Sequence, residues 1–273
     1  MDNAGNRDIP TRPFKTDLSQ ASNVGLVRTL NEDSLFTLEL FLNDNSKGKF
    51  AGLYAVADGI GGHEGGEIAS SLAIRSLSAS LISALLLPAP DGDSSLSTEE
   101  SVSNLLTTGV KAANSEIFAQ GQAQSNDMGT TLTAALVIGN MAYIINVGDS
   151  RVYLLEGDRI RQVTRDHSLV AELVESGLIT PEDIYTHPKR NIITRCLGTQ
   201  KDIEADLFIE ELRPGRALLL CSDGLWEMVR DDAIKDIVLK AENAQIACER
   251  LTELANINGG VDNISVIVIN MTN

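Results

Sequence analysis

Residues 132–162, LTAALVIGNMAYIINVGDSRVYLLEGDRIRQ, decide the fold. Alternating and continuous β-prone segments follow one another here, broken by Gly139-Asn140 and by Glu156-Gly157-Asp158, pairs that close hairpins. Successive hairpins imply an antiparallel meander. They argue against a doubly wound parallel sheet, in which helices must separate the strands.

Upstream, Phe50 to Ala57 reads as a buried strand ending at Asp58-Gly59. From Ile68 to Leu87, Ala73, Leu77, Leu81 and Leu85 recur at helical spacing, which predicts a buried helix stopped by Pro88. Ser97 and Glu100 have capping-box spacing ahead of a second helix, whose apolar face is Leu105, Leu106, Val110, Ala113 and Ile117. Downstream, Ser168 to Ser176 reads as helix and residues 177–194 as an excursion over the surface. Strand (217–221), two helices (231–240 and 244–255) and strand (264–269) complete the chain.

The chain has 273 residues, 43% of them hydrophobic, enough for one sizeable core. Its formal net charge is −16 and no segment gathers a basic stripe, which argues against nucleic acid and anionic membranes as partners. Cys196, Cys221 and Cys248 are odd in number and widely spaced, so a reducing cytoplasm fits. Residues 1–20 are polar with Pro10 and Pro13, and read as a flexible tail before one domain over 21–273.

Four acidic clusters sit where strand-like runs meet turns: Glu32-Asp33, Asp58-Gly59, Asp223-Gly224 and Asp262-Asn263. Two carboxylates about 4 Å apart at an effective dielectric near 20 repel by roughly 4 kcal/mol, so gathering them calls for a cation. Oxygen donors without paired His or Cys suit Mg²⁺ or Mn²⁺. Arg28 beside one cluster offers a fork for phosphate. No Cys stands in a phosphate-cradling loop and no Ser, His and Asp set stands out.

Eight stretches stand in order along the chain: 25–33 (GLVRTLNED), 56–63 (VADGIGGH), 128–131 (MGTT), 147–151 (VGDSR), 164–168 (TRDHS), 187–191 (HPKRN), 222–226 (SDGLW) and Asp262-Asn263. On these residues the chain, from about Ser22 to Met271, resembles the bacterial type 2C (PPM) serine/threonine protein phosphatases. The resemblance implies an α+β fold: a β-sandwich of two antiparallel sheets flanked by helix pairs in four layers (α-β-β-α), with a mobile flap over about 166–195 beside the metal cleft. It implies hydrolysis of phosphoserine and phosphothreonine by in-line attack of a water shared between two Mg²⁺ or Mn²⁺ ions.

By the same resemblance, Asp58 bridges both ions with help from the Gly59 carbonyl, Asp223 and Asp262 hold one, and Glu32 and Asp33 serve the other, partly through water. Asp127 pairs with Asp223 for a weaker third ion. Arg28 binds the phosphate. His63 is either a general acid or a plain loop histidine, since the glycine-rich stretch after Asp58-Gly59 separates it from the position seen in animal relatives. His167, Asp149 and Arg151 are structural, and Ser168 assists the third ion. His187, Lys189, Arg190 and Arg195 either guide substrate or form a solvated loop. The expected partners are phosphorylated proteins, among them a Ser/Thr kinase and its substrates, met by a monomer in the cytoplasm. The alternative is a catalytically silent phosphoprotein-binding module on this scaffold.

Overall fold

The structure is a computed structural model that describes residues 14–44, 47–61, 65–86 and 98–273. Its strands are β1 (Lys15–Asn23), β2 (Asp33–Asp44), β3 (Lys47–Ile60), β4 (Gly129–Thr130), β5 (Leu132–Ile138), β6 (Met141–Val147), β7 (Arg151–Glu156), β8 (Arg159–Gln162), β9 (Asp206–Glu211), β10 (Arg216–Cys221) and β11 (Ile264–Thr272). The helices are α1 (Gly65–Leu86), α2 (Glu99–Gln124), α3 (Leu169–Glu175), α4 (Asp223–Trp226), α5 (Asp231–Lys240) and α6 (Ala244–Ile257), with a 3-10 turn at Pro181–Tyr185. One sheet runs β1-β11-β10-β7-β8 and the other β2-β3-β5-β6-β9, with β4 paired to β3; every strand pair is antiparallel.

Period-two alternation in strands without a polar face makes four layers. On β10, Leu218 and Leu220 point between the sheets, while Ala217, Leu219 and Cys221 point at α5 and α6. On β11, Ile267 and Ile269 face inward and Val266 and Val268 outward. Sheet two does the same: Ala135 and Val137 of β5 face the other sheet, and Ala134, Leu136 and Ile138 face α1 and α2. Each fully buried Leu, Ile or Val contributes roughly 1.5–3 kcal/mol, which is why both strand faces are apolar. The helix α1, long and apolar enough to cross a membrane, is spent here as well, since Ala69, Ala73, Leu77 and Leu81 are buried against sheet two.

Several expectations change in detail. β5–β6 and β7–β8 are the hairpins read from 132–162, but between them Gly148-Asp149-Ser150 carries the chain from one sheet to the other, so they do not form one meander. Residues 15–20, expected in the tail, lie in β1 along the edge of β11, and of the expected tail residues 1–13 lie outside the described residues. Their polarity hid the strand: Asp17 is spent on Ala244 N (2.7 Å) at the start of α6 and on Asn270 Nδ2 (3.0 Å). The α2 capping box falls at Thr98 and Ser101, where Thr98 Oγ1 accepts from Ser101 N at 3.1 Å and Ser101 Oγ from Thr98 N at 3.2 Å. Ser97 and Pro88 lie outside the described residues. Strand β9, unread in the sequence, is an edge strand whose side chains alternate between partial and full exposure.

Candidate metal centre

Both sheets deliver acids to the same end of the sandwich. In sheet two, Asp33 opens β2 directly across the ladder from Asp58 near the end of β3. In sheet one, Asp223 begins α4 just after β10, and Asp262-Asn263 lead into its neighbour β11. Ser222 ties the halves together: its Oγ donates to Asp33 Oδ2 at 2.8 Å and accepts from Ser265 N at 3.0 Å. Asn263, 3% exposed, pins the Arg28 loop. Its Nδ2 donates to Val24 O (2.9 Å) and Leu30 O (3.0 Å), and its Oδ1 accepts from Glu32 N (2.8 Å).

The backbone of Asp58 is held by the Gly129-Thr130-Thr131 motif. Thr131 Oγ1 accepts from Asp58 N at 2.9 Å, while Thr130 Oγ1 and Thr131 N donate to Asp58 O at 2.8 and 2.9 Å. The two Asp-Gly pairs of the site serve close approach. A Cβ on Gly59 would stand 2.3 Å from Gly66 O and 2.7 Å from Glu32 O, so glycine lets the start of α1 close on the Glu32 loop. A Cβ on Gly224 would stand 2.1 Å from Asn263 O, so α4 and the start of β11 can touch.

The carboxyls meet in poor solvation and each other's fields. Asp33 Oδ1 and Asp223 Oδ1 are closed off from solvent without a hydrogen-bond partner. Burial pushes the Asp33 carboxyl up to about 6, against the hydrogen bonds from Ser222 and Ser265. Burial first, then the charges of Asp223 and Asp33, raise Asp58 well above the carboxylate range. Burial, then Asp149 and Asp262, do the same to Asp223, and burial raises Glu32. The nearest cation is half-exposed Arg28, whose Nη2 lies 2.6 Å from Asp262 Oδ2 and Nη1 3.8 Å from Glu32 Oε2.

Unpartnered, oxygen-only, mutually repelling acids are the donor set a hard divalent cation needs, so the residues fit Mg²⁺ or Mn²⁺. Among the described residues no three His, Cys, Asp or Glu side chains converge on one point as they stand.

Of the remaining candidates, Asp127 is exposed and lines a cleft of about 330 Å³ with Phe118, Asn126 and Thr199. No described contact joins it to Asp223. His63 lies outside the described residues. Of the basic residues near 187–195, Arg190 reaches Glu227 (3.4 Å) and Arg195 reaches Asp206 (2.9 Å). Within the expected flap, His167 Nδ1 accepts from Gly148 N at 3.0 Å, and Ser168 Oγ caps α3 by accepting from Ala171 N at 3.3 Å. Ser222, Asn263 and Thr131 are the positioning residues that the sequence reading passed over. Their signal was adjacency to the acids inside the motifs.

The protein phosphatase 2C family matches this chain over residues 28–256. The chain belongs to that family. Within it, the Serine/threonine phosphatase stp of Listeria welshimeri is 37% identical over 258 residues, 94% of each chain. The Serine/threonine protein phosphatase PstP of Mycobacterium tuberculosis is 41% identical over 249 residues, 90% of this chain and 43% of that protein. A crystal structure of the catalytic domain of PstP in complex with 2 manganese ions superposes with a TM-score of 0.76 at 36% identity, covering 94% of this chain and 99% of that one. The α+β sandwich is therefore the protein phosphatase 2C fold.

Proposed function

We propose that the chain is a metal-dependent protein serine/threonine phosphatase, and that hydrolysis of phosphoserine and phosphothreonine takes place where the two sheets bring Asp33, Asp58, Asp223 and Asp262 together. The observation that carries this reading is that both sheets deliver acids to one end of the sandwich, where Asp33 Oδ1 and Asp223 Oδ1 are buried without a partner and half-exposed Arg28 lies against Asp262. Asp58 and the Gly59 carbonyl would hold two ions, Asp223 and Asp262 one of them, and Glu32 and Asp33 the other. Paired divalent cations supply an acidic water as nucleophile and neutralise the charge that develops on phosphate. Asp127 with Asp223 would take a weaker third ion, and the exposure of Asp127 agrees with weak binding.

Arg28 orients the phosphate. Its guanidinium is a two-pronged donor held near the acids by Asp262 and Glu32, so an incoming dianion competes with Asp262 for the fork. A silent binding module should have lost one or more acids, yet Asp33, Asp58, Asp223 and Asp262 all stand in place. We place the protein in the cytoplasm, as a monomer acting on phosphorylated proteins that include a Ser/Thr kinase and its substrates.

The test is release of inorganic phosphate from a phosphothreonine peptide with Mn²⁺ or Mg²⁺. Turnover is expected with either metal and none in EDTA; full activity in EDTA would refute the reading. Arg28→Ala should lower kcat/KM about 10- to 100-fold, mainly by raising KM, as loss of one charged hydrogen-bonding group predicts. An unchanged KM would remove Arg28 from phosphate binding.

A further inference from the structure

An apolar rim adjoins Arg28. Leu26 is 69% exposed, Val27 64%, Ile257 72% and Val261 43%; Leu26 and Val27 bond to Gly260, which precedes Val261, and Leu26 and Ile257 line one cleft. The turn is built, not loose: Leu26 N and Val27 N both donate to Gly260 O, at 2.7 and 3.3 Å. A Cβ on Gly25, at φ +80°, would lie 2.3 Å from Asp262 O. Leu26 and Ile257 line a cleft of about 590 Å³ whose polar wall includes Glu249 and Glu253. Exposed apolar side chains on a rigid turn continuous with the phosphate-binding residue mark an interaction surface.

Resting on the phosphatase reading, we infer that this rim docks the substrate polypeptide beside its phosphorylated residue, selecting an apolar side chain next to it and a Lys or Arg further out to meet Glu249 and Glu253. The occupant is the substrate, because the rim runs directly into Arg28 through Val27 and into Asp262 through Val261.

Two phosphothreonine peptides test this, one with Leu and Arg beside the phosphothreonine and one with Gly and Ser there, with an aryl phosphate as the small substrate. The wild-type protein should favour the Leu/Arg peptide. Leu26→Ser and Ile257→Ser, at exposed positions, should each cost it about tenfold in kcat/KM through KM while leaving the aryl phosphate unchanged. Equal use of the two peptides, or equal losses on all three substrates, would overturn the docking inference and leave the phosphatase reading intact. Absence of turnover on every substrate by the wild-type protein would sink that reading, and docking with it.

A second observation stands apart from the rim. Asp149 is 3% exposed and its Oδ1 has no hydrogen-bond partner. The β7–β10 ladder ends with Arg151 opposite Cys221, two residues from Asp149 on one strand and from Asp223 on the other; Ser150 beside Asp149 touches Thr131 Oγ1 (2.8 Å), the group that holds Asp58 N. Its main-chain oxygen accepts from Trp226 Nε1 of α4 at 3.0 Å. The geometry points to Asp149 as a positioning residue of the metal centre, lending negative charge and one acceptor oxygen from behind Asp58 and Asp223.

A merely structural Asp149 and a positioning one differ under Asp149→Asn. The positioning role predicts Mn²⁺ binding weakened about 10- to 100-fold by calorimetry, with the unfolding temperature in EDTA unchanged or raised because an unpaired buried charge is gone. Wild-type Mn²⁺ affinity, or a variant that is destabilised or fails to fold in EDTA, would overturn the assignment.

Discussion

Asp223→Ala, and Asp58→Asn beside it, will abolish Mn²⁺-dependent hydrolysis of an aryl phosphate, a loss of at least about a thousandfold. The magnitude follows from the role. A divalent cation at the phosphate contributes several kcal/mol of charge stabilisation, and each 1.36 kcal/mol is tenfold in rate, so about 4 kcal/mol gives three decades. Neither change should harm the metal-free fold. Asp223 Oδ1 is buried without a partner, and burial, then the field of Asp149 and Asp262, raises its carboxyl; removing it relieves strain where a structural carboxylate would leave a gap. An Asp223→Ala protein with near-normal turnover, or one that loses activity only because it unfolds in EDTA, would contradict the assignment. Steady-state kinetics and melting curves in EDTA, run on the same preparations, separate the two failures.

The sequence displayed the layers more clearly than the edges. Residues 132–162 showed antiparallel hairpins because both faces of β5, β6 and β7 are buried, which forces long apolar runs. β1 escaped notice because its residues are mostly polar and partly exposed, with Asp17 spent on Ala244 N and Asn270 Nδ2, so no apolar alternation marks the strand. The change of sheet at Gly148-Asp149-Ser150 was invisible for another reason: a crossing between sheets and a tight turn use the same residues, and only the partner strands tell them apart. At the site, the acids were legible since a charge at the end of an apolar run is conspicuous. Asn263 was not. Its three hydrogen bonds go to Val24, Leu30 and Glu32, residues more than 230 positions away, and an asparagine before a strand reads as turn chemistry until that contact is seen. Gly59 and Gly224 misled in the same way, for they look like turn glycines and act as close-contact glycines.

In EDTA the protein will be more stable at pH 5.5 than at pH 7.5, the reverse of the usual loss on acidification, and Mn²⁺ will cancel the difference. The sign follows from the direction of the shifts. A carboxyl raised in the folded state binds its proton more tightly there than in the unfolded chain, so its stability contribution is full below the unfolded pKa and is lost as pH rises through the folded one. Asp33, raised from 3.8 to about 6, loses its share between about pH 4 and 6, and Asp149, raised to about 7, continues the loss toward neutrality. Asp58 and Asp223 act in the same sense. For Asp33 alone the shift corresponds to about 3 kcal/mol in all, at 1.36 kcal/mol for each pKa unit. With the other acids adding to the part lost between pH 5.5 and 7.5, the unfolding temperature should differ by about 5–10 °C. The net charge of −16 pushes the same way through surface repulsion, but 0.5 M NaCl screens that part and leaves the buried part. At pH 7.5, Mn²⁺ at 100 times its dissociation constant should add about 2.7 kcal/mol per site, whereas at pH 5.5 protons compete for the same oxygens and the gain shrinks. Melting curves across pH, salt and Mn²⁺ decide the matter: a metal-free protein that grows more stable from pH 5.5 to 7.5 in high salt would mean that these carboxyls are not held together against their own charge, and that no cation is needed to make the cleft whole.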